Sequence, residues 1–227
     1  IKKHILLFLL VAVTIIAIFL RVCGMDFQSD DFNSFLNSWW SIIKLNDFTG
    51  LATQVGNYNI PYQVIIYLMT LLPLNALYAY KIVSIIFDFV LAISTAMLVY
   101  SFAKNNRRLK AILTYSAVLL SATVIFNSSF WAQCDSIYTS FIILAILFLH
   151  KDKPIASFVF IGIAFAFKLQ TVFIIPVLLY YWISTKKISI LHFFIIPAVD
   201  VIMCLPAIIM GRPFIDIITI YAEQTDY

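Results

Sequence analysis

The sequence is poor in charge. Only 11% of its 227 residues are charged, against about 25% in ordinary soluble domains. A water-exposed surface of normal composition cannot be built from it. Glycine is scarce as well. Five glycines can hardly supply the repeated turns that cradle phosphates, which argues against an ATP or nucleotide-sugar site. The three cysteines, Cys23, Cys134 and Cys204, show no metal-ligand spacing. A disulfide between Cys23 and Cys134 would need both outside. The simpler reading is three small apolar residues near helix ends. Segments of about ten residues that alternate apolar and polar, the mark of a membrane barrel, are missing too.

What fills the chain is apolar: 63% of it, in long continuous runs such as "HILLFLLVAVTIIAIFL". Only helices and closed barrels satisfy their backbone in lipid, so the fold class expected is all-α, a polytopic membrane protein. The net charge of +4 is dispersed in short basic clusters between apolar runs, as orientation signals are, and is no nucleic-acid footprint. Lys2 and Lys3 followed by an apolar run resemble a signal peptide. However, "LRVCG" puts Arg21 where cleavage wants a small residue. The segment is therefore read as a retained anchor helix. Because Ile1 stands where Met would, the N-terminus is expected to be trimmed.

Seven spans are expected, at about 4–22, 76–102, 111–127, 136–150, 154–168, 170–184 and 189–209. Several fall short of the roughly 20 residues of a straight crossing. The fifth and sixth read as a tight hairpin turning at "FKLQ". Lys2, Lys3, "KNNRRLK" (104–110), "HKDK" (150–153) and "TKK" (185–187) alternate so as to share one side, which the positive-inside rule makes cytoplasmic. Asp152 is the acid that joins them. Asp26, Asp30, Asp31, Asp47, Asp135, Asp216, Glu223 and Asp226 collect outside. His4, His150 and His192 all fall near the cytoplasmic side, so this topology excludes histidine catalysis outside.

The apolar segment 59–73 is short, and counting it as a span would invert everything after it. It is placed flat on the outer surface, with Pro61 and Pro73 fixing its ends. A second flat helix is expected over 31–45, with Phe32, Phe35, Trp39, Ile42 and Ile43 on its apolar face and Trp39 and Trp40 in an interfacial belt. The first outer loop, 23–75, is then large. No internal repeat or linker interrupts the chain, and 1–227 reads as one membrane domain.

Three polar clusters gather on the outer side. Asp30 and Asp31, in "SDDFNSFLNSWW", open the first flat helix. One of them can cap it, which leaves the other to be explained. "WAQCDS" (131–136) brings Gln133 and Asp135, with helix capping and a belt tryptophan as the plainer reading. "FKLQ" brings Lys168 and Gln170, and a buried lysine there usually faces a cavity or a partner unless it snorkels. Arg21 and Arg212 break the positive-inside pattern at outer helix ends. A lipid phosphate would give them a reason, and so would salt bridges to loop aspartates. Asp88 and Asp200 lie inside spans, where acids are functional candidates or are simply paired, as Asp88 could be with Lys81.

The layout resembles the membrane-embedded glycosyltransferases of the C-type fold (GT-C), which use polyprenyl-phosphate sugars. In them a first span leads to a long outer loop with two flat helices and an early aspartate, which Asp31 matches better than Asp30. "NYNIPYQVIIY" keeps Pro61 of the family's Tyr-Pro-Pro stretch at a different spacing. "SSFWAQCDSIY" resembles the Trp-Gly-Gln-x-Asp element of bacterial mannosyltransferase-like members and the His-Phe-Gln-Tyr-Asn element of dolichol-linked glucosyltransferases. "AFKLQTVFIIP" resembles their Phe-Lys-Gln stretch followed by proline. The resemblance covers about residues 5 to 185, and family members usually run to 400 residues or more. The chain therefore looks like the seven-span module without the C-terminal spans.

The resemblance implies transfer of a hexose from a polyprenyl-phosphate donor to an acceptor hydroxyl of a glycan, lipid or protein on the outer face. Asp31 would serve as base. Lys168, with Arg21 or Arg212, would stabilise the departing phosphate. Gln133, Asp135 and Gln170 would hold the sugar. No cofactor is expected. Related oligosaccharyltransferases use a metal, but two carboxylates, Asp31 and Asp135, are few for a hard cation. The implied setting is an integral membrane protein of the bacterial plasma membrane or the endoplasmic reticulum, with a cytoplasmic N-terminus and an outer active site. The alternatives are a transporter or flippase of a lipid-linked saccharide, with Asp88 and Asp200 as its relay, and a non-catalytic membrane subunit.

Overall fold

The computed structural model describes residues 2–223, and among them every regular element is helical. Two helices are long and apolar enough to cross a membrane: His4–Val22 within α1 (Lys2–Val22) and α4 (Ala76–Phe102). α5 (Arg107–Leu119) and the segment 122–130 would make a third crossing only as one broken unit, bent by 51°. That segment is α6 (Ala122–Ile125) running into a π-helical turn, Phe126–Phe130. Shorter apolar helices follow: α7 (Asp135–His150), α8 (Pro154–Phe167), and α9 (Ile175–Thr185) behind a 3-10 turn at Leu169–Ile174. The last expected span is also broken. After a 3-10 turn at Ile190–Phe194 come α10 (Ile195–Met203) and α11 (Leu205–Ile209), with the break at Cys204, just ahead of Pro206. Proline has no N–H to continue the ladder. α12 (Phe214–Glu223), not expected from the sequence, closes the described chain.

The helices alternate in direction, which sorts their ends. At one end α4 finishes beside α5 and α7 meets α8. There Phe102 stacks on His150 at 3.9 Å, Arg107 lies over the Tyr100 ring at 4.3 Å, and Lys187 pairs with Asp152 at 2.8 Å. This is the basic end. The opposite end gathers the loop after α1, α2 (Asn37–Asn46), α3 (Ile60–Thr70) and the turns at 131–135 and 168.

α2 is continuous with a π-helical turn, Phe32–Leu36, that starts beyond Asp31. Its buried face is Phe32, Leu36, Trp39, Trp40 and Ile43. The sequence reading had Phe35 and Ile42 on that face. Both are exposed, because the true stripe runs i, i+4, i+7, i+8, i+11. Trp39 and Trp40 are likewise core residues rather than belt residues. The stripe packs on Tyr62, Ile66 and Met69 of α3 and on Tyr80 of α4, whose hydroxyl donates to the Leu36 carbonyl at 3.0 Å.

The chain between α2 and α3 turns tightly at Gly56, whose φ is +73°. A Cβ there would sit 2.3 Å from the Trp39 ring. Gly56→Ala is expected to destabilise by about 1–3 kcal/mol, through overpacking and a backbone region that L-residues avoid. Urea or thermal unfolding in detergent measures it, and a change below about 0.5 kcal/mol would show that the loop can move away from Trp39.

Candidate functional site

Ser29, not an aspartate, caps the first helix of the loop. Its hydroxyl accepts from the Phe32 N–H at 3.1 Å, and its carbonyl accepts from the Asn33 N–H at 3.1 Å. Asp30 and Asp31 therefore occupy the first helical turn, where the helix dipole favours negative charge, and neither carboxylate is spent on capping. The same Ser29 hydroxyl donates to the Trp131 carbonyl at 3.2 Å, which ties this turn to the second motif.

That motif leaves the π-helical turn at Phe126–Phe130 through Ala132, which is fully buried with φ +58°. A left-handed residue just past a helix is a common ending, usually filled by glycine. Here alanine bears the strain. The turn directs Gln133 back across the loop, and its amide nitrogen donates to Asp31 Oδ2 at 2.7 Å. The Gln133 carbonyl oxygen accepts from the Tyr58 hydroxyl at 3.2 Å. Among the described residues no hydrogen bond is made to the other oxygen of Asp31.

Asp135 is the first residue of α7. Its Oδ1 is paired with Lys168, and its Oδ2 accepts from Asn127 at 2.9 Å. Lys168 stands in extended backbone where α8 ends. Its ammonium is also 5.7 Å from the Tyr58 ring and 5.6 Å from the Tyr138 ring. The Asp135 carboxylate beside it favours the charged ammonium. Burial first, then Cys134, Asp135 and Asp31, push the Tyr58 phenol well above its ordinary range, which keeps it a neutral donor.

Asp31, Gln133, Asp135 and Lys168 thus come together from three separate stretches of sequence. Asp31 borders two cavities. One, of about 170 Å3, is lined by Phe35, Trp39, Asn57, Tyr58 and Gln133. The other, of about 240 Å3, is lined by Phe27, Gln28, Asp30 and Trp131. Two π-helical turns flank the site, one after Asp31 and one before Trp131, and such turns occur often at functional sites.

Three of the expected residues stand elsewhere. Gln170 is exposed and takes no part in this cluster. Arg21 is buried: its Nε donates to Asp88 Oδ2 at 2.9 Å, and its Nη1 donates to the carbonyls of Ala17 and Leu119. It answers an acid inside the bundle, not a phosphate at its edge. Arg212 is buried on Gln54 and Gln63. Both glutamines hold the 54–58 loop through the Tyr58 carbonyl, at 3.0 and 3.3 Å, so Arg212 supports the loop that presents Tyr58. Lys81 is not the partner of Asp88. Its ammonium clamps the carbonyls of Gly24, Met25 and Phe27 at 2.7, 3.0 and 2.5 Å, fixing the loop that leads to Asp31.

Tyr58 was missed by sequence reasoning. Its signal was slight: a tyrosine among asparagines in "GNYN", just beyond the turn glycine. Cys23 and Cys134 are both free, one exposed and one buried. Burial, with the Asp135 charge adding to it and Lys168 opposing, pushes the Cys134 thiol up to about 11. Maleimide at pH 7.5 is therefore expected to label Cys23 quickly and Cys134 only on unfolding, as intact-mass measurement would show. Fast native labelling of Cys134 would contradict this burial. Comparison with known protein families, with curated proteins and with solved structures finds no match.

Proposed function

We propose that the chain is a membrane-embedded glycosyltransferase module of the C-type fold, with the seven spans read from its sequence. It moves a hexose from a polyprenyl-phosphate donor to an acceptor hydroxyl at the end of the bundle opposite the basic clusters. The observation that carries this reading is the convergence at Asp31: a carboxylate with, among the described residues, one unbonded oxygen, oriented by Gln133 and bordering two cavities, close to a lysine–carboxylate pair. A base, its orienting partner and a cation are what the transfer requires.

In this mechanism the acceptor oxygen gives its proton to Asp31 as it bonds to the anomeric carbon. The bond from that carbon to the phosphate oxygen breaks, and the polyprenyl phosphate leaves with the added negative charge. Lys168 uses one donor on Asp135 and has two more for that phosphate. The two cavities are smaller than the roughly 300–1,000 Å3 of drug-sized pockets, which suits a single sugar ring beside an acceptor hydroxyl. The aromatic rings of Phe35, Trp39 and Tyr58 offer faces for such a ring.

The transporter reading relied on Asp88 and Asp200 as a relay. Asp88 is held by Arg21, Ser128 and Ser136, with both oxygens used, and Asp200 accepts from Asn59 at 3.2 Å. An Asp88 held in this way speaks against a relay through it, which favours the enzyme. The test is transfer from labelled polyprenyl-phosphate hexoses by membranes containing the wild-type chain or Asp31→Asn. Transfer present in the first and absent in the second supports the proposal. No transfer with any donor and a pool of acceptors would overturn it.

A further inference from the structure

A second cavity system lies at the basic end, far along α4 from the Asp31 site. It measures about 580 Å3, inside the range of ligand pockets. α1, α4 and α5 form its walls, which are apolar: Leu10, Ile93, Ala96, Met97 and Ile112. Its depth along α4, from Ile93 to Ser101, is about 12 Å at 1.5 Å per residue, close to half of a bilayer core about 30 Å thick. The floor is closed by Thr14 and Tyr115, whose hydroxyls bond each other at 2.9 Å.

The mouth is cationic. Arg107 and Lys151 both line it. Arg107 is held in place because its Nε donates to the Tyr100 carbonyl at 2.9 Å and its guanidinium lies over the Tyr100 ring, and neither contact takes up a hydrogen bond of its Nη groups. Asn106 gives no side-chain cap to the 13-residue α5, so uncapped N–H groups lie beside Arg107 and add to the attraction for an anion. Arg108 and Lys110 follow on the same turn. The nearby acid, Asp152, is already paired with Lys187.

An apolar slot about 12 Å deep beneath a doubly cationic rim fits one molecule in both parts. We infer that this cavity binds an anionic phospholipid, its acyl chain in the slot and its phosphate at Arg107 and Lys151. The inference rests on the membrane placement in the proposed function and not on the sugar chemistry.

The test is a lipid titration of the purified, delipidated chain in detergent, read by native mass spectrometry and by Tm. The probes are dioleoyl phosphatidylglycerol, dioleoyl phosphatidylcholine and glycerol 3-phosphate. Phosphatidylglycerol is expected to bind at least about tenfold more tightly than phosphatidylcholine and to raise Tm, while glycerol 3-phosphate does neither. Arg107→Gln with Lys151→Gln removes the preference, and both side chains are exposed, so the fold survives the change. Ala96→Phe fills the slot and weakens both lipids. Equal affinity for the two phospholipids overturns the inference. So does a preference that outlives the double replacement, a Tm shift given by glycerol 3-phosphate alone, or a dimer whose second copy excludes lipid. Alkaline extraction of membranes separates the two proposals. A chain released into the aqueous fraction overturns the membrane placement and both with it, whereas a retained chain without lipid preference overturns this one alone.

Discussion

On the proposed function, Asp31→Asn is expected to lower the rate of sugar transfer by about a hundred- to ten-thousand-fold, the usual contribution of a positioned base, and to leave Tm within about 1 °C. The structure explains why the fold is indifferent. Ser29 caps the helix, so no cap is lost. The amide oxygen of asparagine still accepts from Gln133, and Asp31 is only partly buried. What disappears is the capacity to take a proton. The fall belongs in kcat with KM little changed, because the base acts mainly in the transition state. Asp30→Asn is the control. Asp30 is exposed and, among the described residues, is engaged in no side-chain hydrogen bond, so its replacement is expected to change transfer by less than about threefold. A reversal of the two results would move the base to Asp30.

The parts of this architecture legible in the sequence were those with a local cause. α4 runs from Ala76 to Phe102 as expected, because a largely apolar segment of 27 residues flanked by Asn75 and a basic cluster leaves no other reading. The gathering of Asp31, Gln133, Asp135 and Lys168 followed from placing three motifs at one set of helix ends. The misreadings came from causes that are not local. Nothing in "LLSATVI" signals the bend between α5 and α6, since no proline lies there. Arg21 and Asp88 are 67 residues apart. Read from sequence, Arg21 asks for a lipid phosphate or a loop aspartate, and Asp88 for a relay role or Lys81; in the structure each is the other's partner. Lys81 seemed the natural partner because it lies two turns from Asp88 on one helix, yet three loop carbonyls claim it. Phe35 and Ile42 were assigned to the buried face by spacing alone, and a shift of one residue in the stripe turned both outward.

The Arg21–Asp88 pair sets the second large expectation. Both side chains are essentially fully buried, at 1% and 0% exposure. Removing one partner of such a pair costs roughly 3–5 kcal/mol, because the other charge stays buried without compensation. The two single variants are expected to differ. In Arg21→Met the stranded carboxyl can take up a proton and remain buried as a neutral acid. In Asp88→Asn the guanidinium cannot lose its proton, and it is held in place by the carbonyls of Ala17 and Leu119. Asp88→Asn should therefore be the worse, losing most of the folded yield in detergent. Combining Arg21→Met with Asp88→Asn removes both charges, while the asparagine oxygen still accepts from one of Ser128 and Ser136 and its NH2 can donate to the hydroxyl oxygen of the other. The double variant is expected to recover at least half of the lost stability, a positive coupling read directly from a double-mutant cycle. The same variant tests function. A transfer enzyme whose chemistry lies at Asp31 keeps its activity when this pair is neutral and folded, whereas a proton-coupled transporter that relies on Asp88 does not. A well-folded double variant without transfer would return Asp88 to the mechanism. A stable Asp88→Asn single variant would show instead that water reaches Arg21, so that its charge is not stranded by the loss of its partner.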